Sequence, residues 1–315
     1  MRTEWMVRCA ALTALLALGA AGPALGQNAP PWSEDFETFD VGDRVCGNHG
    51  WQCWDQNPGV DAVIVGSPAH GGQRAVRIAL ADGFDSDVIA VFKDQNGNPN
   101  VTTGKWELIA WIFVPDSPSV VNSGFVVQNR YNHGGPYAWS VQLRFNNVTD
   151  QVLSEFDGAT LPLIENEWVR IRVELDLTDE MNPDGWQRCW YGDDLLYEKV
   201  WNCGVGACGD RHFASIDLWA AGQPAVFYDD LSLLPLGGGE SCGEKAKLAA
   251  KCKSGGAKVL AKLKKADPNT DVTFTVDGGD PIEANTGRKG KAKAKWKGLE
   301  RGGHTVRVCD LEKSC

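Results

Sequence analysis

The carboxylates of Glu174-Leu175-Asp176-Leu177-Thr178-Asp179-Glu180 have residue types suited to acid and nucleophile chemistry. Retaining cleavage of a glycosidic bond needs two carboxyls about 5–5.5 Å apart, one to protonate the leaving oxygen and one to attack. In an extended strand Glu174 and Asp176 project from one face, and Asp179 joins them only across a bulge. A plainer reading competes. Residues 168–177 place Val169, Ile171, Val173 and Leu175 on one side and Arg170, Arg172, Glu174 and Asp176 on the other. Such alternation explains the charges as a solvated strand face running into a polar turn. Glu174, Asp176 and Asp179 are the catalytic candidates, and no other catalytic motif stands out.

A second pattern suits binding. Gln128 and Arg130, then Ser140, Gln142 and Arg144, then Arg170, Arg172 and Glu174 occupy the non-core positions of three predicted strands. If these strands are neighbours, four guanidinium groups gather on one face. Planar guanidinium forks and amides pair with sugar hydroxyls, uronate carboxylates or sulfates. The loop Tyr131-Asn132-His133-Gly134-Gly135-Pro136-Tyr137 would rim that face with stacking rings. The predicted ligand residues are Gln128, Arg130, Tyr131, His133, Tyr137, Gln142, Arg144 and Arg172. An ordinary mixed-charge outer face is the competing reading.

The elements that must position these residues are strands. Short alternating runs separated by Gly, Pro, Asn and Asp fill residues 27–236, and no segment keeps helical spacing for three turns. Predicted strands include 106–114, 125–131, 137–145, 168–177 and 216–221, with a hairpin at 190–197. In the third of these, Tyr137, Trp139, Val141, Leu143 and Phe145 are assigned to the core side. Eleven tryptophans fall in this region, and burial in sheet packing is the default reading for them.

Glu34-Asp35-Phe36-Glu37, Gly50-Trp51, the strand Trp168 to Leu177, the Gly192 hairpin and Phe227-Tyr228-Asp229-Asp230-Leu231-Ser232-Leu233 occur in that order. Together they resemble a concanavalin A-like (LamG-like) jelly roll of secreted bacterial proteins over roughly residues 32–235. The resemblance implies an all-β, two-sheet antiparallel jelly-roll sandwich. The family mixes sugar-binding modules, glycoside hydrolases, lyases and adhesion domains, so the fold leaves the activity open. Its glucanases carry Glu-x-Asp-x-x-Glu, from which this chain departs, because Asp179 stands where the second Glu belongs. Jelly rolls of this kind also bring their first and last strands together around a structural Ca²⁺. Glu34, Asp35, Glu37, Asp229 and Asp230 would supply its oxygen ligands, the sole cofactor expected.

Residues 1–26 read as a signal peptide, with Arg2 and Arg8 before an apolar run too short to span a bilayer. The mature chain is therefore expected outside the cytoplasm, secreted or at the cell surface, without a transmembrane segment. Export makes the cysteines readable as disulfides. Close spacing favours Cys46 with Cys53 and Cys203 with Cys208. Cys252 with Cys309 and Cys242 with Cys315 would tie the C-terminal region. Cys189 is then a buried thiol, or it exchanges into a pairing with Cys203.

Charge divides the chain. Residues 27–239 hold 12 Lys and Arg against 30 Asp and Glu, whereas residues 240–315 hold 17 against 10. Residues 237–241 read as a linker, followed by a small disulfide-tied β-sandwich of immunoglobulin or fibronectin type at 242–315. Residues 244–265 are expected to be partly helical. Lys289, Lys291, Lys293, Lys295 and Lys297 line one strand face. That row suits edge protection, an anionic cell-surface polymer, or docking on the acidic body. Nucleic acid is excluded as a partner by the lack of interleaved aromatic platforms. The sequence-level expectation is a secreted protein that binds a polysaccharide or cell-surface glycan without turnover, with a basic attachment module. A glycoside hydrolase or polysaccharide lyase, and a structural or adhesive protein, are the alternatives.

Overall fold

The structure, a computed structural model, describes residues 28–315 except 82–83, 95, 118–121, 179–182, 203, 205–209, 221–223, 237–241, 244, 278–281, 300 and 310. The proposed signal peptide, the proposed linker, Cys203, Cys208 and Asp179 lie outside the described residues. The strands are all antiparallel and form a two-sheet jelly-roll sandwich followed by a smaller one. No helix among the described residues is long and apolar enough to cross a membrane.

The larger sandwich has two eight-stranded sheets. Sheet A runs β14 (Asp194–Val200), β13 (Trp186–Tyr191), β12 (Trp168–Asp176), β7 (Lys105–Phe113), β16 (Val226–Pro235), β4 (Ala75–Ile78), β3 (Val63–Val65), with β1 (Trp32–Glu34) also on β16. Sheet B runs β11 (Thr160–Pro162), β10 (Gln151–Ser154), β9 (Ala138–Asn146), β8 (Ser123–Arg130), β15 (Ser215–Ala220), β6 (Phe84–Val91), β2 (Trp51–Cys53), with β5 (Leu80–Ala81) also on β6. Period-two alternation sends Val169, Ile171, Val173 and Leu175 from sheet A, and Phe125, Val127, Ile216 and Leu218 from sheet B, into one core. Cys46 is bonded to Cys53, and Cys189 is a fully buried free thiol whose pKa burial pushes up to about 12.

Two expectations about this core change. Val127 pairs with Val141 but Gln128 pairs with Trp139, so Ser140 is an extra residue in β9. That bulge reverses the alternation and carries Tyr137 and Trp139 to the outer side. Burial of the tryptophans also holds for few of them. Among the eleven between residues 27 and 239, Trp51 and Trp201 are fully buried, Trp32 and Trp106 pack half-buried against the core, and the other seven lie partly exposed on sheet faces or loops.

Residues 242–315 build a second core. A three-stranded sheet orders β17 (Lys247–Lys253), β18 (Lys258–Lys264) and β21 (Lys291–Lys297). A four-stranded sheet orders β20 (Ile282–Asn285), β19 (Asp271–Val276), β22 (Thr305–Val308) and β23 (Leu311–Ser314). Val259, Leu263, Ala294 and Trp296 pack against Phe274, Val306 and Val308 between them. The segment expected to be partly helical is instead the β17–β18 hairpin, because its apolar residues alternate at period two. The disulfides join Cys242 to Cys309 and Cys252 to Cys315, the reverse of the expected connectivity. The chain closes on a β22–β23 hairpin that sets Cys309 and Cys315 on different neighbours.

Candidate functional site

The three strands expected to share a basic face do not share one. β8 and β9 are neighbours in sheet B, but β12 lies in sheet A between β7 and β13. Arg172 therefore sits on the opposite side of the sandwich, 3.9 Å over the Trp190 ring and 3.3 Å from Glu174. Arg170 faces Asp193, and Asp176 pairs with Lys105 at 2.9 Å. The described catalytic candidates, Glu174 and Asp176, are thus ion-paired on sheet A. Their strand face adjoins the region where Glu107 of β7 pairs with Arg307 of β22. A cavity of about 790 Å³ opens beside that contact, where His70 stacks on Trp111 at 3.8 Å and hydrogen-bonds Asp230.

The outer face of sheet B is different. Strand register sets four residues in one line across it: Arg144 on β9, Gly124 on β8, Trp219 on β15 and Asp87 on β6. Gly124 is required here, because a Cβ at that position would lie 2.3 Å from Trp219 Nε1. The missing side chain lets the indole extend across β8 toward Arg144, whose guanidinium lies 5.5 Å from the ring centre. Directly opposed residues on antiparallel strands have Cβ atoms about 4.5–5.5 Å apart. Asp87 therefore flanks the indole on its other side.

The next line holds Gln142, Val126, Asp217, Ile89 and Gln52. Asp217 is 4% exposed, its Oδ1 has no partner, and Asp87 lies near enough to raise its pKa. Burial first, and the charge of Asp87 second, hold its pKa well above the carboxylate range. Gln128, fully buried in the following line, accepts from Ser215 Oγ at 2.6 Å while its Nε2 stays unpartnered.

Aromatic rings close one end of this face. Trp54 lies 4.8 Å from Tyr137 and 5.4 Å from Tyr131, and Trp139 continues the row 6.4 Å from Tyr137. His133 accepts from the Tyr131 hydroxyl at Nδ1 (2.9 Å) and donates from Nε2 to Gln52 Oε1 (2.8 Å), the tautomer that satisfies both. Burial lowers the His133 pKa and raises that of Tyr131, so both are neutral at pH 7. Tyr137 donates to Asp55 at 2.8 Å, and the Gly134 N–H bond to the same carboxylate lowers its pKa.

Of the eight expected ligand residues, Gln128, Tyr131, His133, Tyr137, Gln142 and Arg144 belong to this side of the molecule, and Arg172 does not. Arg130 ends β8 but makes a bidentate pair with Asp210 at 2.7 and 2.9 Å. Arg144 is claimed by Glu155 and Asn122, and Lys93 by the Tyr131 carbonyl and Asn132. The face is consequently not a basic patch. Sequence reasoning missed Trp219, Asp87 and Asp217. The alternation of Ser215-Ile216-Asp217-Leu218-Trp219-Ala220 held the signal, since Ile216, Leu218 and Ala220 face the core and leave Asp217 and Trp219 outside.

The carboxyls expected around calcium do not assemble into a cage. β1 does meet β16, but Glu37 Oε1 accepts the Gln73 and Arg74 amides, both at 2.7 Å. Asp229 accepts from His70, Gly71 and Asp230 amides, Asp35 from Glu37, and Glu34 from Phe36. Backbone donors thus satisfy one oxygen each of Glu34, Asp35 and Glu37 and both oxygens of Asp229. Among the described residues, only Cys46, Cys53 and Asp61 bring three ligand atoms within 4.8 Å of one another, and those sulfurs are bonded to each other.

No family profile matches the chain, and no curated protein is similar to it. Among solved structures it is similar to an endo-β-1,4-glucuronan lyase from the fungus Trichoderma reesei, with 12% identity and a TM-score of 0.38 over 63% of this chain and 95% of that one. A carbohydrate esterase from a Shiga toxin-encoding bacteriophage matches at 12% identity and TM-score 0.41, over 59% and 89%. A xylan-binding domain from Paenibacillus barcinonensis matches at 10% and 0.34, over 67% and 97%. What this chain does must be read from its own side chains.

Proposed function

We propose that the chain is a glycan-binding protein whose jelly roll holds an uncharged, hydroxyl-rich saccharide across the outer face of sheet B without turning it over. The observation that carries this reading is the Trp219 indole extended over Gly124 between Arg144 and Asp87. A sugar ring stacks its C–H face on an indole while its equatorial hydroxyls reach flanking acceptors and donors. Asp87 and the Gln142 amide supply those groups on either side. The Trp54–Tyr137–Trp139 rings lie about four strand residues away, roughly 13 Å, so an oligosaccharide would span both aromatic positions.

The competing lyase and hydrolase readings find less support. Retaining hydrolysis needs one carboxylate free to attack and a second to protonate the leaving oxygen, and of the two acids on this face Asp217 is almost completely buried. A cation placed to neutralise a uronate carboxylate favours proton abstraction beside it, and the two arginines of this face, Arg130 and Arg144, are already ion-paired. An array of neutral and uronic oligosaccharides, run with reducing-sugar and unsaturated-product assays, tests the proposal. Neutral binding without product formation supports it. Turnover, or failure of every neutral glycan to bind, overturns it.

A further inference from the structure

The three-stranded sheet of the C-terminal module presents its outer positions as residues 247, 249, 251 and 253 on β17, 258, 260, 262 and 264 on β18, and 291, 293, 295 and 297 on β21. Ten of the twelve are exposed lysines, and Ala249 and Leu260 are the exceptions. Register aligns them across the strands: Lys247, Lys264 and Lys291 in one line, Lys253, Lys258 and Lys297 in another, and Lys262 beside Lys293 between them. The three strands contain no Asp or Glu, and none of the ten lysines makes an ion pair among the described residues. Strand geometry spaces the ammonium groups' Cα atoms by roughly 4.8 Å across the sheet and about 6.8 Å along it.

Edge protection accounts for lysines on β17 and β21, which are the outer strands. It does not account for Lys258, Lys262 and Lys264, because β18 is central and paired on both sides. Like charges placed directly opposite each other destabilise a sheet, so the arrangement opposes the fold it sits on. The other sheet of the module is the one that meets the body, through Arg307 and Glu107, and the lysine face lies on the opposite side. The body's acidic surface is therefore not what covers it.

We infer that this ten-lysine face binds a linear polyanion dense in sulfate or phosphate groups, a second binding activity separate from the glycan face of the body. The face is a strip about 20 Å long, four positions deep along each strand, which suits a chain laid lengthwise. It projects no aromatic or large apolar side chain for insertion between lipid headgroups, Leu260 being partly buried among lysines. It also offers no ring on which a base could stack. Recognition is then by charge density, and it weakens steeply with salt.

The test is titration of the full chain with dextran sulfate and with polyphosphate, using neutral dextran and inorganic sulfate as controls and phosphatidylserine vesicles as a separate arm. Binding to at least one polyanion should fall about a hundredfold between about 50 mM and about 500 mM salt, with neither control binding. The variant Lys262→Gln/Lys264→Gln/Lys291→Gln/Lys293→Gln should lose about tenfold or more and keep its thermal transition. Lys258→Gln/Lys297→Gln at the other end of the strip provides a second variant if the first does not fold. Unchanged affinity in a folded variant, salt-insensitive binding, or no polyanion binding overturns the inference. Tighter attachment to vesicles than to either polymer, lost in the same variant, overturns a polymer as the partner.

Discussion

Cations are handled in opposite ways on the two candidate surfaces. Among the described residues on the outer side of sheet B each one is claimed, Arg130 by Asp210, Arg144 by Glu155 and Lys93 by carbonyl oxygens. On the module ten lysines stand together on strands that contain no carboxylate. A count of basic residues per strand therefore says little about where a basic patch lies. Pairing decides it, and pairing depends on which strands become neighbours. The result is an aromatic platform flanked by ion-paired cations on an acidic body and a strip of lysines without carboxylate partners on a basic module.

The largest effect that would break this comparison is loss of the module itself. Its two disulfides close loops of 67 and 63 residues, each worth about 4 kcal/mol through the entropy of the unfolded chain. A core this small has little to set against that loss. Cys242→Ser/Cys309→Ser should abolish the module's unfolding transition in calorimetry and leave the body's intact. A single unchanged transition would mean that the two cores do not unfold separately.

Next comes the indole platform. Gly124→Val should push Trp219 off β8 and weaken glycan binding by about tenfold, or 1.4 kcal/mol, while polyanion binding stays unchanged. Loss of both activities would merge the two surfaces into one.

The pH dependence of stability sharpens the electrostatic contrast. Burial, with the charge of Asp230 adding to it, pushes Asp229 up to about 8, and Asp217 shifts in the same direction. A carboxyl whose folded pKa lies above its unfolded value stabilises fully below the ordinary carboxylate range and loses that contribution as pH rises to the folded value. The body's Tm should therefore fall between about pH 4 and pH 8. Asp217→Asn, which cannot ionise, should flatten part of that slope, and an unaltered slope would mean that Asp217 is not the strained carboxyl. The smallest expected effect is at Cys189, whose buried thiol should resist a thiol reagent until the body unfolds.

Much of the architecture was legible because two-sided burial imprints alternation on every long strand. The Trp168–Asp176 strand and the hairpin after it fall where their patterns place them. The site was legible in pieces. Gln142 and Arg144 alternate visibly, but nothing within residues 168–176 states that this strand joins sheet A, since sheet membership is decided by pairings with β7 and β13. The Ser140 bulge likewise leaves no local mark, so Tyr137 and Trp139 read as core residues. Trp219 depended on a glycine about 95 residues earlier in the chain, a relation only tertiary structure supplies.

The most direct test of the central claim is isothermal titration of one neutral oligosaccharide into two variants, Trp219→Ala on sheet B and Trp111→Ala on sheet A. The account predicts that binding disappears in the first and persists in the second. Binding that survives loss of Trp219 but fails without Trp111 would contradict it and move the glycan site to the opposite side of the sandwich.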